Sequence, residues 1–338
     1  MRYQFKFRSY QRRFLRSLTT NHGKWDIREG IILRLTDESG KLGWGEIAPI
    51  SWFGSETLEQ ALDFCRQLPE EITDEIIFSI PDKLPACQFG FESAWEQGSR
   101  GAGEQGSKGA EEENLNLSSA LHSLRYSGLL PSGKAALNQW KTLWQKGYRT
   151  FKWKIGVDAI ADELKIFESL IHTLPAFTKL RLDANGGLTY EEANLWLRTC
   201  DNLKANPELP LEIEFIEQPL PIEQFQGMLE LSTSYETAIA LDESVATLGQ
   251  LAACYQQGWR GIFVIKPGIV GSPSRLRKFC HQHEIDTVFS SVFETAIARL
   301  AALQLAAELS RNNRAIGFGI DHFFEQEETW FQSLCNSL

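Results

Sequence analysis

Lys154, Asp183, Glu217, Asp242 and Lys266 each stand at the end of a short apolar run, with successive gaps of 29, 34, 25 and 24 residues. Three carboxylates offer hard oxygen ligands, the donor set that suits Mg²⁺ or Mn²⁺ and not zinc or copper, which favour nitrogen and sulfur. Without a cation, three such charges within a few ångströms would repel one another, so a metal or the flanking lysines must offset them. A metal that grips a substrate carboxylate between two lysines suits removal of the proton α to that carboxylate, because the cation steadies the ene-diolate dianion that forms. The ladder predicts proton chemistry at carbon, with Lys154 and Lys266 catalytic and Asp183, Glu217 and Asp242 holding the metal.

Lys152-Trp-Lys154 places a second lysine beside the first, because strand side chains two apart point the same way. A neighbouring ammonium lowers a lysine's pKa, and a neutral amine in a dry site is a competent general base. The competing reading of Lys152 is a salt bridge inside the fold. Asn185 and Glu243 follow their carboxylates by two positions and one, and are expected to orient the metal shell or a lysine.

The spacing of the ladder fits one strand, one helix and two loops per step, so its members end consecutive strands of a parallel barrel. Turn and cap signals follow each run: Gly156, Gly186-Gly187, Pro219, Ser244 and Pro267-Gly268. With further strands at 126–130, 287–290 and 315–319, residues 121–320 make a TIM-type (β/α)7β barrel, an α/β fold whose active sites lie at the C-terminal strand ends. Residues 1–120 read as an α+β capping domain. It has alternating segments at 3–7 and 31–35, a strand and turn at Gly43-Trp-Gly-Glu-Ile-Ala-Pro49, and helices near 57–68 and 87–95. A low-complexity insertion occupies about 96–119, where Glu96-Gln-Gly-Ser-Arg-Gly-Ala recurs as Glu104-Gln-Gly-Ser-Lys-Gly-Ala. Such composition buries too little surface to offset its ordering entropy, which predicts a mobile surface loop. The tail, 321–338, is expected to pack on the cap or the barrel.

A net charge of -10 argues against nucleic acid or an anionic membrane as partner. No uncharged apolar run approaches the ~18 residues of a membrane span, and the amphipathic start, Met1-Arg-Tyr-Gln-Phe-Lys-Phe-Arg, lacks the apolar core of a signal peptide. Six cysteines without a Cys-x-x-Cys pair read as reduced buried thiols. The expectation is a cytoplasmic protein acting on a small carboxylate, with the oligomeric state open and a monomer sufficient.

Lys152-x-Lys154, Asp183-Ala-Asn, Glu217-Gln-Pro, Asp242-Glu-Ser and Ile265-Lys-Pro-Gly resemble the enolase superfamily, specifically its muconate lactonising subgroup. Asn21-His-Gly-Lys-Trp-Asp-Ile-Arg-Glu-Gly30, Gly43-Trp-Gly-Glu-Ile-Ala-Pro49 and Ser51-Trp-Phe-Gly-Ser-Glu-Thr57 resemble the cap of its o-succinylbenzoate synthase family. The resemblance implies Mg²⁺-dependent dehydration of 2-succinyl-6-hydroxy-2,4-cyclohexadiene-1-carboxylate to 2-succinylbenzoate, in menaquinone or phylloquinone biosynthesis. It also implies substrate contacts near Gly268, Ser290 and Ser291, with Arg28 or His22 on a cap loop meeting the succinyl carboxylate. Three alternatives share the scaffold: an N-acylamino acid racemase or dipeptide epimerase, a muconate cycloisomerase, and a non-catalytic barrel that binds a metabolite. Dipeptide epimerases of the subgroup carry Asp-x-Asp after the eighth strand, where this chain reads Gly319-Ile-Asp321.

Overall fold

A computed structural model describes residues 1–20, 23–100, 121–204, 211–320 and 323–324. Two sheets organise them. The first is antiparallel, in the order β3-β2-β1-β4, from β1 (Arg2–Thr20), β2 (Gly23–Asp37), β3 (Leu42–Ile47) and β4 (Glu71–Thr73). β1 and β2 are far longer than the alternating segments at 3–7 and 31–35. They pair as one hairpin from Tyr3–Asp37 to Thr20–Gly23, with a register shift between Arg13 and Leu18. Past Phe7 the alternation fades, yet Tyr10 and Phe14 remain buried where the hairpin leaves its own sheet core and meets the barrel. The segment expected as a cap loop from Gly23 to Gly30 is thus strand, and Arg28 sits inside it.

The second sheet is parallel, in the order β11-β10-β9-β8-β7-β6-β5-β12. Its strands are β5 (Tyr126–Leu130), β6 (Thr150–Lys154), β7 (Lys179–Asp183), β8 (Glu212–Glu217), β9 (Ile239–Leu241), β10 (Ile262–Ile265), β11 (Asp286–Phe289) and β12 (Ile316–Gly319). Ser290 bridges to Gly317 and closes the ring between its end strands. The barrel forms because each strand turns an apolar face to the helix layer that covers it. On β6, Phe151 and Trp153 turn to the helix layer, where Trp153 packs against Phe167 and Trp196. Lys152 and Lys154 have the opposite parity and face the barrel mouth.

The helix Pro85–Arg100 lies on β3 so closely that a Cβ on Gly43 or Gly45 would meet the carbonyl oxygens of Ala94 or Gly90 at 1.9 and 2.0 Å. It continues through 96–100, which composition had placed in the insertion, because Glu96 is held by the Arg277 guanidinium of the barrel. The rest of that insertion and the tail, apart from Phe323 and Phe324, lie outside the described residues. The two layers share their cores: Phe89 of the cap helix belongs to the barrel core, and Ile269 and Val292 of the barrel belong to the cap core.

Candidate active site

Register brings the ladder to one end of the ring. Lys154 is paired with Asp183 and Asp183 with Glu217, while Asp242 and Lys266 directly follow β9 and β10. A cavity of about 150 Å³ opens there. Its floor is polar, with Lys152, Lys154, Asp183, Asn185, Asp242, Glu243, Lys266, Ser290 and Ser291. Its upper wall is apolar and comes largely from the cap, with Leu18, Trp25, Ile50, Trp52 and Phe53 facing Phe293 and Ile320.

Lys152 Nζ lies 2.9 Å from both Asp183 Oδ2 and Glu217 Oε1. Glu217 does not line the cavity and meets the site through that contact. Burial pulls the Lys152 ammonium down, but Asp183, Glu217 and Asp242 together outweigh it and hold it well above the ordinary lysine value. Lys152 is thus placed as the ion-paired cation between Asp183 and Glu217. Burial likewise raises Asp183, and Lys152 and Lys154 reverse that and leave it below the usual carboxylate range.

The other two acids are undercompensated. Burial and the nearby Asp183 and Asp242 charges push Glu217 up to about 7 against the pull of Lys152. Burial raises Asp242 to about 6, assisted by Glu243 and opposed by Lys266. A site whose carboxylates still repel one another with two lysines in place suits a divalent cation, and oxygen donors suit Mg²⁺. Among the described residues no three acidic, His or Cys side chains already enclose one point. The ammoniums of Lys152 and Lys266 stand among the carboxylates instead.

Lys154 donates to Asn185 Oδ1, and Asn185 Nδ2 donates to Glu243 Oε1 at 2.9 Å. Asn185 holds a left-handed backbone, φ 45°, and its N–H donates to Asp183 Oδ1, an Asx-type turn that aims its amide at the lysine. Across the cavity Lys266 contacts Asp242, and its ammonium lies 4.0 Å from the centre of the Phe53 ring. One lysine thus meets a neutral amide and the other a carboxylate and a ring.

Ser290 and Ser291 line the cavity; Arg28 and Gly268 stand away from it. Arg28 is 2% exposed, and its guanidinium donates to the carbonyls of Val292, Glu29, Pro49 and Ala48. Its charge is spent on backbone, because the supposed loop is a strand buried between cap and barrel. Gly268 lies in a short helix, Pro267–Val270, where a Cβ would meet Val292 at 2.7 Å. His22 and Asp321 to His322 lie outside the described residues. Sequence reasoning did not single out Leu18, Phe53, Phe293 or Glu46. The Ser51-Trp-Phe run was the available signal for Phe53, whereas Phe293 follows a strand with no polar marker at its position.

With this geometry in view, comparison with known proteins gives a consistent result. The family model "Enolase C-terminal domain-like" matches residues 135–333, and "MenC, N-terminal domain" matches 4–97. An o-succinylbenzoate synthase of Thermosynechococcus vestitus is 41% identical over 95% of this chain and 93% of its own length. The crystal structure of the o-succinylbenzoate synthase from Thermosynechococcus elongatus BP-1, complexed with Mg in the active site, superposes with a TM-score of 0.84 at 38% identity, covering 99% of this chain and all of that one. The L-Ala-D/L-Glu epimerase from Bacillus subtilis, in a substrate-liganded complex, shares the fold at 20% identity, TM-score 0.72, covering 95% of this chain and 90% of that one. The chain belongs to the enolase superfamily and, within it, to the o-succinylbenzoate synthase family.

Proposed function

We propose that this protein is a Mg²⁺-dependent hydro-lyase that converts 2-succinyl-6-hydroxy-2,4-cyclohexadiene-1-carboxylate to 2-succinylbenzoate, a step of menaquinone or phylloquinone biosynthesis. The carrying observation is the pair Lys154 and Lys266 on one cavity floor, separated by the carboxylates of Asp183 and Asp242 under an apolar cap wall. The 41% identity with a synthase over nearly the full chain supports the substrate.

Asp183, Glu217 and Asp242 would hold Mg²⁺, which when bound supplies the positive charge that makes a substrate carboxylate's α-proton removable. Lys154, as a neutral amine, takes the proton from C1, and the C1–H electron pair moves toward the carboxylate as the ene-diolate forms. The pair then returns to form the C1–C6 double bond as the C6–O bond breaks. The hydroxyl leaves as water with the proton Lys154 had taken, so atoms and charge balance and no oxidant is needed. Asn185 fixes the amine's position through its Oδ1. Lys266, beneath Phe53, steadies the negative charge from the opposite side. Lys152 neutralises the buried acids without touching the reacting carbon. The aromatic product makes the step strongly downhill, so orientation and charge are the main demands on the site.

One feature separates this reading from dipeptide epimerisation. Gly319 lines the cavity where those enzymes place an aspartate, and a Cβ there would meet the Ser127 carbonyl at 2.5 Å. The small-molecule cavity, and the lack of any helix among the described residues long and apolar enough to cross a membrane, agree with a cytoplasmic enzyme. So do the five cysteines among the described residues, all free and buried. The deciding experiment follows loss of diene absorbance with purified protein and Mg²⁺, alongside racemisation of an N-succinylamino acid. Fast dehydration with slow racemisation is expected; fast racemisation without dehydration would move the function to an isomerase on the same site.

A further inference from the structure

Two buried charges on the cap have no place in this chemistry. Arg28 on β2 and Glu46 on β3 are 2% and 0% exposed, and both reach across to the barrel segment that follows β11. Arg28 Nε donates to the Val292 carbonyl at 2.9 Å, while its other nitrogens hold the cap carbonyls of Glu29, Ala48 and Pro49. Glu46 accepts from the backbone N–H groups of Thr295 at 3.0 Å and Ala298 at 3.3 Å, and from the hydroxyls of Thr295 and Tyr10. It thereby caps the helix Ala296–Leu309, a role that helix's own Thr295 side chain does not fill.

Those two anchors, at Val292 and at Thr295, flank Phe293 of the cavity wall, and Ser291 directly precedes the first. Ser291 donates to Glu294 Oε2 at 2.8 Å and accepts from the Phe293 N–H at 2.9 Å, and Val292 N–H donates to the same Glu294 oxygen. Phe293 is held at φ 62°, a left-handed conformation that a bulky residue adopts only where its surroundings impose it. That backbone turns its ring onto Phe14 and Trp25 of the cap hairpin and into the cavity lining. Val292 is seated from below by the bare Cα of Gly268. Ser291 and Phe293 thus belong to the barrel by sequence, while their positions are set from the cap.

We propose that Arg28 and Glu46 are positioning residues that fix the substrate-facing wall at Ser291 and Phe293 from the cap side, so that the cap shapes the barrel's half of the pocket as well as covering it. The kinetic part of the test rests on the synthase reading above. Arg28→Met leaves the Val292 carbonyl and three cap carbonyls without their donor, Arg28→Lys keeps the charge but not the fork, and Glu46→Gln keeps the shape but weakens the helix cap. Ile72→Ala, which opens a void in the cap core remote from this wall, serves as the control for lost stability alone.

In the full-length protein with saturating Mg²⁺, Arg28→Met is expected to raise KM for the cyclohexadiene about tenfold or more while kcat changes by less than about threefold, as loss of charged hydrogen bonds behind a binding wall implies. The dissociation constant of 2-succinylbenzoate, read from the fluorescence of Trp25 and Trp52, should rise in parallel. Hydrogen exchange of the 288–296 segment should quicken in Arg28→Met and Glu46→Gln and stay unchanged in Ile72→Ala. Equal KM and equal exchange in these variants and the control, with only the melting temperature lowered, would overturn the proposal. Should Arg28→Met fail to fold, Arg28→Lys and Glu46→Gln carry the same comparison. A wild-type protein silent toward both substrate and product would sink the synthase reading, and exchange of the segment would still decide the positioning role.

Discussion

At the scale of single residues, the two active-site lysines differ by what touches them. Lys154 faces the neutral Asn185 amide, whereas Lys266 is held against Asp242 under the Phe53 ring. Lys154→Ala removes the base and is expected to cut turnover by about three orders of magnitude, in the range ascribed to positioned proton transfer. Lys266→Ala should have a comparable effect through lost stabilisation of negative charge. Stopped assays of the two variants, beside circular dichroism to show that they fold, check this; retained dehydration in either would remove that lysine from the mechanism. The acids give a second expectation. Burial, then mutual repulsion, raises Glu217 to about 7 and Asp242 to about 6, so both hold protons at higher pH than free carboxyls. Mg²⁺ must displace those protons, so its affinity should fall as pH drops through 7 and 6, by up to about tenfold per pH unit for each proton displaced. Calorimetric titration with Mg²⁺ at pH 8, 7 and 6 reads it directly, and affinity flat across that range would show that the acids are already ionised.

At the scale of elements, the barrel end away from the site is closed by charge. Pairing of β7 and β8 slips between Leu180–Ile213 and Arg181–Phe215, which leaves Glu214 as an extra residue on β8. That bulge aims Glu214 at Arg181, 2.7 Å, and at Arg314, 2.8 Å, while Arg314 also holds Asp286 at the start of β11. Burial raises both acids, and the arginines more than reverse it, leaving Glu214 and Asp286 below their ordinary values. Depressed carboxyls add stability that is complete above their unfolded values and is lost as pH falls through the folded ones. The stability this network contributes should therefore be constant above about pH 5 and be lost below about 4, read as the difference in melting temperature between the wild type and Arg314→Met. Arg314→Met should cost roughly 1–3 kcal/mol at neutral pH, because half-buried Asp286 loses its cation while Glu214 keeps Arg181, and should flatten the acid limb. Thermal melts across pH test both, and an unchanged acid limb in the variant would free the network from this role. None of this network was legible in the chain, because a bulge breaks the two-residue period that placed Lys152 with Lys154. The site ladder was legible because each member ends or directly follows its strand, and on β8 the bulge falls before Ile216 and Glu217, which pair in step with Leu182 and Asp183. The hairpin of β1 and β2 was read short because, past Phe7, its buried residues answer to the barrel and not to its own sheet.

At the scale of the whole molecule, cap and barrel behave as one body. Phe89 lies in the barrel core, Ile269 and Val292 in the cap core, and Arg277 grips Glu96 while Gln88 accepts from the Ser272 N–H across the same seam. The apolar half of the pocket comes from the cap and the charged half from the barrel, so neither sheet alone makes a site. A shared core of this kind implies cooperative unfolding, since exposing either half uncovers apolar surface belonging to the other. Gly43→Ala tests it from the far side of the cap. The added methyl would sit 1.9 Å from the Ala94 carbonyl, and neither backbone can yield without parting β3 from the helix that carries Phe89 into the barrel. Overpacking of this severity costs about 1–3 kcal/mol, which in a chain of this size lowers the melting temperature by roughly 1–4 °C. Scanning calorimetry should record that loss as a shift of one transition for the entire chain. Two separated transitions, with the barrel melting where it does in the wild type, would show instead that the cap is an independent lid, and the shared core would then carry little of the coupling between them.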